Sequence, residues 1–186
     1  MKNSKLTACL LLLAIVVLGS CDKVKEAVKL KKEVQPGAIT FTIPPIIVAG
    51  QEAALITKEA SIDLDQEVKK VDPDYGVENI KSIRIKALKL ELLDQFTDAN
   101  FKALEKISVA IDAEGETEKE LASYMNSDFT TDKYTLEVPI TGGDIELRDY
   151  LNGESFTFML KGKAHATTNK QVRAKLTVIY DFTLGL

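Results

Sequence analysis

Between Val172 and Phe182 every second residue is apolar: Val172, Ala174, Leu176, Val178, Tyr180 and Phe182. Arg173, Lys175, Thr177 and Asp181 fall between them. A period of two over eleven residues cannot place its apolar members on one side of a helix. It does so on a strand, one face of which must be buried. Phe156, Phe158 and Leu160 show the same period earlier in the chain. Thr167-Thr168-Asn169-Lys170 lies between the two runs, with Asn169 suited to a positive φ, so the pair reads as a closing β-hairpin.

The period recurs upstream in short pieces. Ile39, Phe41 and Ile43 alternate with threonines and stop at Pro44-Pro45, where a strand loses its N–H donors. Ile46-Ile47-Val48 is a short apolar run ended by Gly50. Ile62 and Leu64 alternate with Asp63 and Asp65 and read as a second strand. Ile83 and Ile85 keep one phase, while Leu88, Leu90 and Leu92 keep the other. A single strand over Ile80–Leu93 therefore needs an extra residue near Lys86-Ala87, a β-bulge. Thr97-Asp98-Ala99-Asn100 can cap a short helix carrying Phe101 and Leu104. Ile107, Val109 and Ile111 predict another strand, and Tyr134, Leu136 and Val138 one more before Pro139. The stretch Glu118 to Met125 reads as a helical turn. Gly142-Gly143-Asp144 and Asp149-Tyr150-Leu151-Asn152-Gly153 read as turns. About seven strands and few helices predict a mainly β chain, an antiparallel β-sandwich with one or two short helices. An immunoglobulin-like arrangement is the first expectation, although the chain has no Trp and so lacks that fold's Cys–Trp–Cys hallmark.

The amino-terminal stretch follows different rules. Lys2 and Lys5 precede an apolar run from Leu6 to Leu18, which closes on Gly19, Ser20 and Cys21. That run is about 13 residues, short of the roughly 20 a spanning helix needs, and has the layout of a secretory signal peptide. Its ending, Leu18-Gly19-Ser20-Cys21, resembles the lipobox of bacterial lipoproteins. The resemblance implies export, cleavage before Cys21 and acylation of that cysteine with fatty chains such as palmitate. It divides the chain into a signal peptide (1–20), a lipidated cysteine with a charged tether (21–37) and a β-sandwich domain (38–186). The tether carries Lys23, Lys25, Lys29, Lys31 and Lys32 against Asp22, Glu26 and Glu33, and closes on Pro36-Gly37. It reads as a solvated spacer with some helix, or as lysines resting on anionic headgroups.

Composition narrows the chemistry. Loss of residues 1–20 would leave 22 basic against 28 acidic side chains. A mildly acidic domain is a poor partner for nucleic acid, whose phosphates call for clustered Lys and Arg. Cys9 would leave with the signal, and Cys21 alone forms neither an internal disulfide nor a thiolate metal cluster. His165 is the single histidine. With no second His and no G-x-S-x-G, neither a zinc site nor a serine triad is spelled out. Asp72-x-Asp74-x-Gly76 has the opening spacing of a calcium loop but lacks its third carboxylate and closing Glu. Asp72 and Asp74 are thus weak metal candidates in a sequence that suits a turn. Glu114, Glu116, Glu118 and Glu120 form a charge run.

These readings imply no catalytic residue and no cofactor. The function expected is that of a lipid-anchored binding or structural module of the cell envelope, at the outer membrane or cell surface rather than the inner membrane. Its partners would be the membrane, through the acyl chains, and an envelope protein or glycan. The exposed edge Ile39–Ile43 could pair with a partner strand. Two alternatives are an envelope glycoside hydrolase or other hydrolase with a carboxylate pair, and a carrier of an apolar ligand between the sheets.

Overall fold

The computed structural model describes residues 29–153 and 155–185. Leu18, Gly19, Ser20 and Cys21 lie outside the described residues. Nine strands form two antiparallel sheets: β1 (Leu30–Val34), β2 (Ile39–Ile43), β3 (Glu52–Ala60), β4 (Ile80–Leu92), β5 (Leu104–Asp112), β6 (Lys119–Met125), β7 (Thr135–Glu137), β8 (Phe156–Ala164) and β9 (Val172–Leu184). One sheet runs β1-β9-β4-β7, with β2 also on β9; the other runs β3-β8-β5-β6. Helix α1 (Leu64–Val71) follows β3, and a single turn, α2 (Arg148–Leu151), precedes β8.

The β-sandwich is the expected class, but its connectivity is not immunoglobulin-like. β2 pairs with β9, β3 with β8, β4 with β7 and β5 with β6. These nested pairs are what a long hairpin makes when it is rolled up, and they give eight strands in jelly-roll order. The same topology removes the expected closing hairpin. β8 and β9 alternate as read, yet β8 pairs with β3 and β5 while β9 pairs with β1, β2 and β4. The link 165–171 crosses from one sheet to the other. Alternation marks a strand with one buried face; it does not distinguish a neighbour in the same sheet from a strand facing it across the core.

The core lies between the sheets. All seven even-numbered positions of β9 from Val172 to Leu184 are buried. On β4 the register slips between Ile85 and Ala87, leaving Lys86 as the extra residue. Ile83 and Ile85 before the bulge and Leu88, Leu90 and Leu92 after it are therefore all buried. The phase change read from the sequence is this bulge.

Three local expectations are corrected. Leu30–Val34, within the stretch read as tether, is a strand paired with β9 from Leu30↔Leu184 to Val34↔Tyr180. β1 and β2 follow one another along the same edge of β9, separated by the segment holding Pro36. Ile62-x-Leu64 is not a strand: Asp63 caps α1, its carboxylate accepting from the N–H of Gln66 at 2.9 Å. Leu64 and Val68, four apart, are the buried residues of that helix. Lys119–Met125 is an edge strand rather than a helical turn, with its register shifted between Val109 and Ala110 of its partner β5. A bulge breaks the period of two that would have identified it.

Candidate functional site

The strands fix two ends. Four connections meet at one: 44–51, 93–103, 126–134 and 165–171. At the other lie α1 and the connections 113–118 and 138–155, beside the place where β1 starts against Leu184.

The four-loop end is a fixed platform, built from loop-to-loop hydrogen bonds. The N–H of Gly50 donates to Ala164 O at 2.8 Å, and Ile46 and Thr168 bond each other twice, at 2.9 Å. The N–H groups of His165 and Ala166 both donate to Ala103 O, at 2.8 and 3.1 Å. The N–H of Phe101 donates to Lys133 O at 3.0 Å. Asn100 and Asn126, both buried, hold the rest together. Asn100 Nδ2 donates to Phe96 O, Thr97 O and Asp132 Oδ1, and its Oδ1 accepts from the N–H groups of Lys102 and Lys133. Asn126 Nδ2 donates to Leu104 O at 3.1 Å, while its Oδ1 accepts from Lys133 Nζ at 2.6 Å. Buried amides satisfied this fully tie irregular backbone together.

Each acid of this end has a cation: Asp94 with Arg173, Asp98 with Lys170, Asp128 with Lys133 and Asp132 with Lys102. Arg173 lowers the Asp94 carboxyl below its ordinary value, and Lys170 does the same for Asp98. Lys102, then Asn100, lowers Asp132. Asp128 is held well below the carboxylate range by the N–H of Thr130, with the hydroxyl of Thr130 and the N–H of Thr131 adding to it. Exposed apolar groups lie around the platform: Ile47 at 84% and Val48 at 52% of full exposure. His165 is exposed, and its ring stacks on Phe129 with centroids 3.9 Å apart. The sequence signal for this platform was faint, because Asn100 and Asn126 look like ordinary loop residues until their partners are known.

The helical end holds the other candidates. Asp72 ends α1, its N–H donating to Val68 O, and its carboxylate lies 3.4 Å from the N–H of Asp74. The pair forms a turn. Among the described residues no three or more His, Cys, Asp or Glu are grouped as metal ligands. An open groove of about 330 Å³ is lined by Asp112, Glu114, Asp149, Gly153, Ser155 and Thr157. Nearby, Glu146 clasps the 138–155 connection to β4: it accepts from the Ser82 hydroxyl at 2.5 Å and the N–H of Ile83 at 2.8 Å. Burial pushes the Glu146 carboxyl up, but these donors and the N–H of Arg148 outweigh it and leave it below the usual range. A general acid for glycoside cleavage needs the opposite displacement. Every displaced carboxylate among the described residues is displaced downward. Between the sheets, the two apolar cavities measure about 20 and 10 Å³, room for about one water each.

No family model matches the chain, and no curated protein sequence does. Among solved structures it is similar to the decameric BFDV capsid protein, with 11% identity over 83% of this chain and 99% of that one and a TM-score of 0.33. The 60-mer of the BFDV capsid protein gives 12% identity over 86% and 96%, with a TM-score of 0.32. Desmodium yellow mottle tymovirus gives 11% identity over 86% and 87%, with a TM-score of 0.29.

Proposed function

We propose that this chain is a lipid-anchored protein of the cell envelope, a binding or structural module exported through residues 1–20 and acylated on Cys21. The single observation that carries the reading is the segment Leu18-Gly19-Ser20-Cys21 directly after a short apolar run with lysines before it. Two or three acyl chains, at about 0.8 kcal/mol per buried methylene, hold a protein at a bilayer almost permanently. Among the described residues no helix is long and apolar enough to cross a membrane.

The place where β1 starts is compatible with such an anchor. Leu30 is nine steps along the chain from Cys21, with eight residues between them, about 30 Å when extended. Leu30 lies beside Leu184, at the helical end. The connections there, 61–79, 113–118 and 138–155, hold thirteen acidic against three basic residues. That end is repelled by anionic headgroups, whereas Lys23, Lys25, Lys29, Lys31 and Lys32 are attracted to them. The four-loop platform sits about 40 Å away along β9, at ~3.3 Å per residue, and is the surface offered to an envelope protein or glycan. The outer membrane or cell surface is the workplace this reading assigns.

Metabolic labelling with radioactive palmitate tests it, comparing wild type with Cys21→Ser. Label in the wild type and none in the variant is the expected result, with the wild type in the membrane fraction. Equal incorporation by the variant, or an unlabelled wild type, ends the proposal.

A further inference from the structure

Sheet edges are templates for further strands, and natural proteins blunt them with charges, bulges or covering elements. Among the described residues, four of the five edge strands are treated that way. β1 carries Lys31, Lys32 and Glu33, and α1 packs against it. β3 carries Glu52, Lys58 and Glu59, and its register breaks between Ala54 and Ile56. β6 and the chain beyond β7 close on one another: Ser123 N–H donates to Pro139 O, and Thr141 N–H to Leu121 O.

Of the edge strands β2 is the least defended, although β3 of the other sheet packs close to it. It holds no charge, bulge or proline, and among the described residues its only strand partner is β9. Its sequence, Ile39-Thr40-Phe41-Thr42-Ile43, also reads the same in both directions. The outer face beside it is an open groove lined by Thr40, Thr42, Leu93 and Arg173. We propose that β2 is a self-association edge, which a second copy of this chain joins antiparallel about a two-fold axis through Phe41.

In that register Ile39 faces Ile43 of the second copy, Thr40 faces Thr42 and Phe41 faces Phe41. Apolar meets apolar on the core side, and threonine meets threonine on the solvent side. A palindrome makes a two-fold pairing match like with like at every position, so one segment is complementary to itself. A slip by one residue would set Thr against Ile or Phe and send side chains to the wrong face. Pro36 upstream and Pro44-Pro45 downstream lack N–H donors, so they confine the pairing to these five residues. The two sheets containing β2 become one continuous sheet, and the two four-loop ends point in opposite directions. The inference is independent of the lipid anchor.

Sedimentation equilibrium of the full chain in density-matched detergent tests it, up to about 200 µM because so short an edge makes a small interface. The wild type should approach twice the monomer mass with concentration. Thr40→Glu/Thr42→Glu sets like charges opposite one another between copies, while within one copy they face Lys175 and Arg173. It should weaken association at least tenfold without lowering Tm. Thr40→Glu/Thr42→Lys sets opposite charges against one another in the proposed register and should associate within threefold of the wild type. A wild type that stays monomeric overturns the proposal. So does a Thr40→Glu/Thr42→Glu variant that associates as tightly as the wild type, the result expected if acyl chains or another face drive it.

Discussion

The two ends of this sandwich solve the same problem differently. Each must satisfy the polar backbone of the connections between strands. At the four-loop end, two buried amides and four ion pairs do so, and the loops lock to one another. At the helical end, α1 satisfies its own backbone and covers the core with Leu64 and Val68, while α2 buries Tyr150 and Leu151 and Glu146 clasps the 138–155 connection to β4. The first end is held chiefly by side chains that bond loop backbone, the second chiefly by helices packed on strands. A surface that must keep its shape for a partner is better served by the first arrangement, whose geometry is over-determined.

That contrast can be broken by truncation. Phe101 is 1% exposed beneath the four loops, and Phe101→Ala should cost about 3–5 kcal/mol in urea unfolding. Val68→Ala, at the other end, removes two methyl groups and should cost about 2 kcal/mol. Equal losses would show that both ends rest on the same support. Asn126→Ala leaves the Leu104 carbonyl without its amide donor and takes one acceptor from Lys133, which keeps Asp128, and should cost about 1–3 kcal/mol. Hydrogen exchange should then quicken in 126–134 and 97–104 and stay unchanged in α1. Uniform exchange would refute the loop-clasp role of that amide. Asp63→Ala, which deletes the cap of α1, should cost about 1 kcal/mol and quicken exchange in that helix alone.

Acidification gives the smallest effect. Asp94, Asp98 and Asp132 are lowered in the folded chain by Arg173, Lys170 and Lys102 respectively. Their contribution is full above the unfolded carboxylate value of about 3.9 and is lost as pH falls through the lower folded values. Tm should hold down to about pH 5 and fall below roughly pH 4. Exchange in 93–103 and 126–134 should rise before that in the core strands. Protection of 93–103 and 126–134 that persists unchanged well below pH 4 would contradict this.

How much was legible follows from the physics of each element. β9 and β4 could be read residue by residue, bulge included, because both bury one face along their whole length. β3 could not: it is an edge strand, its bulge at Leu55 breaks the period, and most of its side chains are exposed. α1 was misread from Ile62-x-Leu64, although Leu64 and Val68 already carried helical spacing behind a capping Asp63. The stack of His165 on Phe129 was invisible, since the two are brought together from separate loops. The clasps of Asn100 and Asn126 were likewise hidden, because an amide's partners are set by which loops converge.

By itself the sequence determined β2, β4, β5, β7, β8 and β9, the inward faces of β4 and β9, the site of the β4 bulge and the palindrome of β2, since periodicity and residue order are properties of a single segment. Only the tertiary structure decided which strands are neighbours, that β8 and β9 lie in opposite sheets, and that four distant loops form one platform. Pairing between segments depends on backbone bonds and buried partners contributed by the rest of the chain. No local pattern contains them.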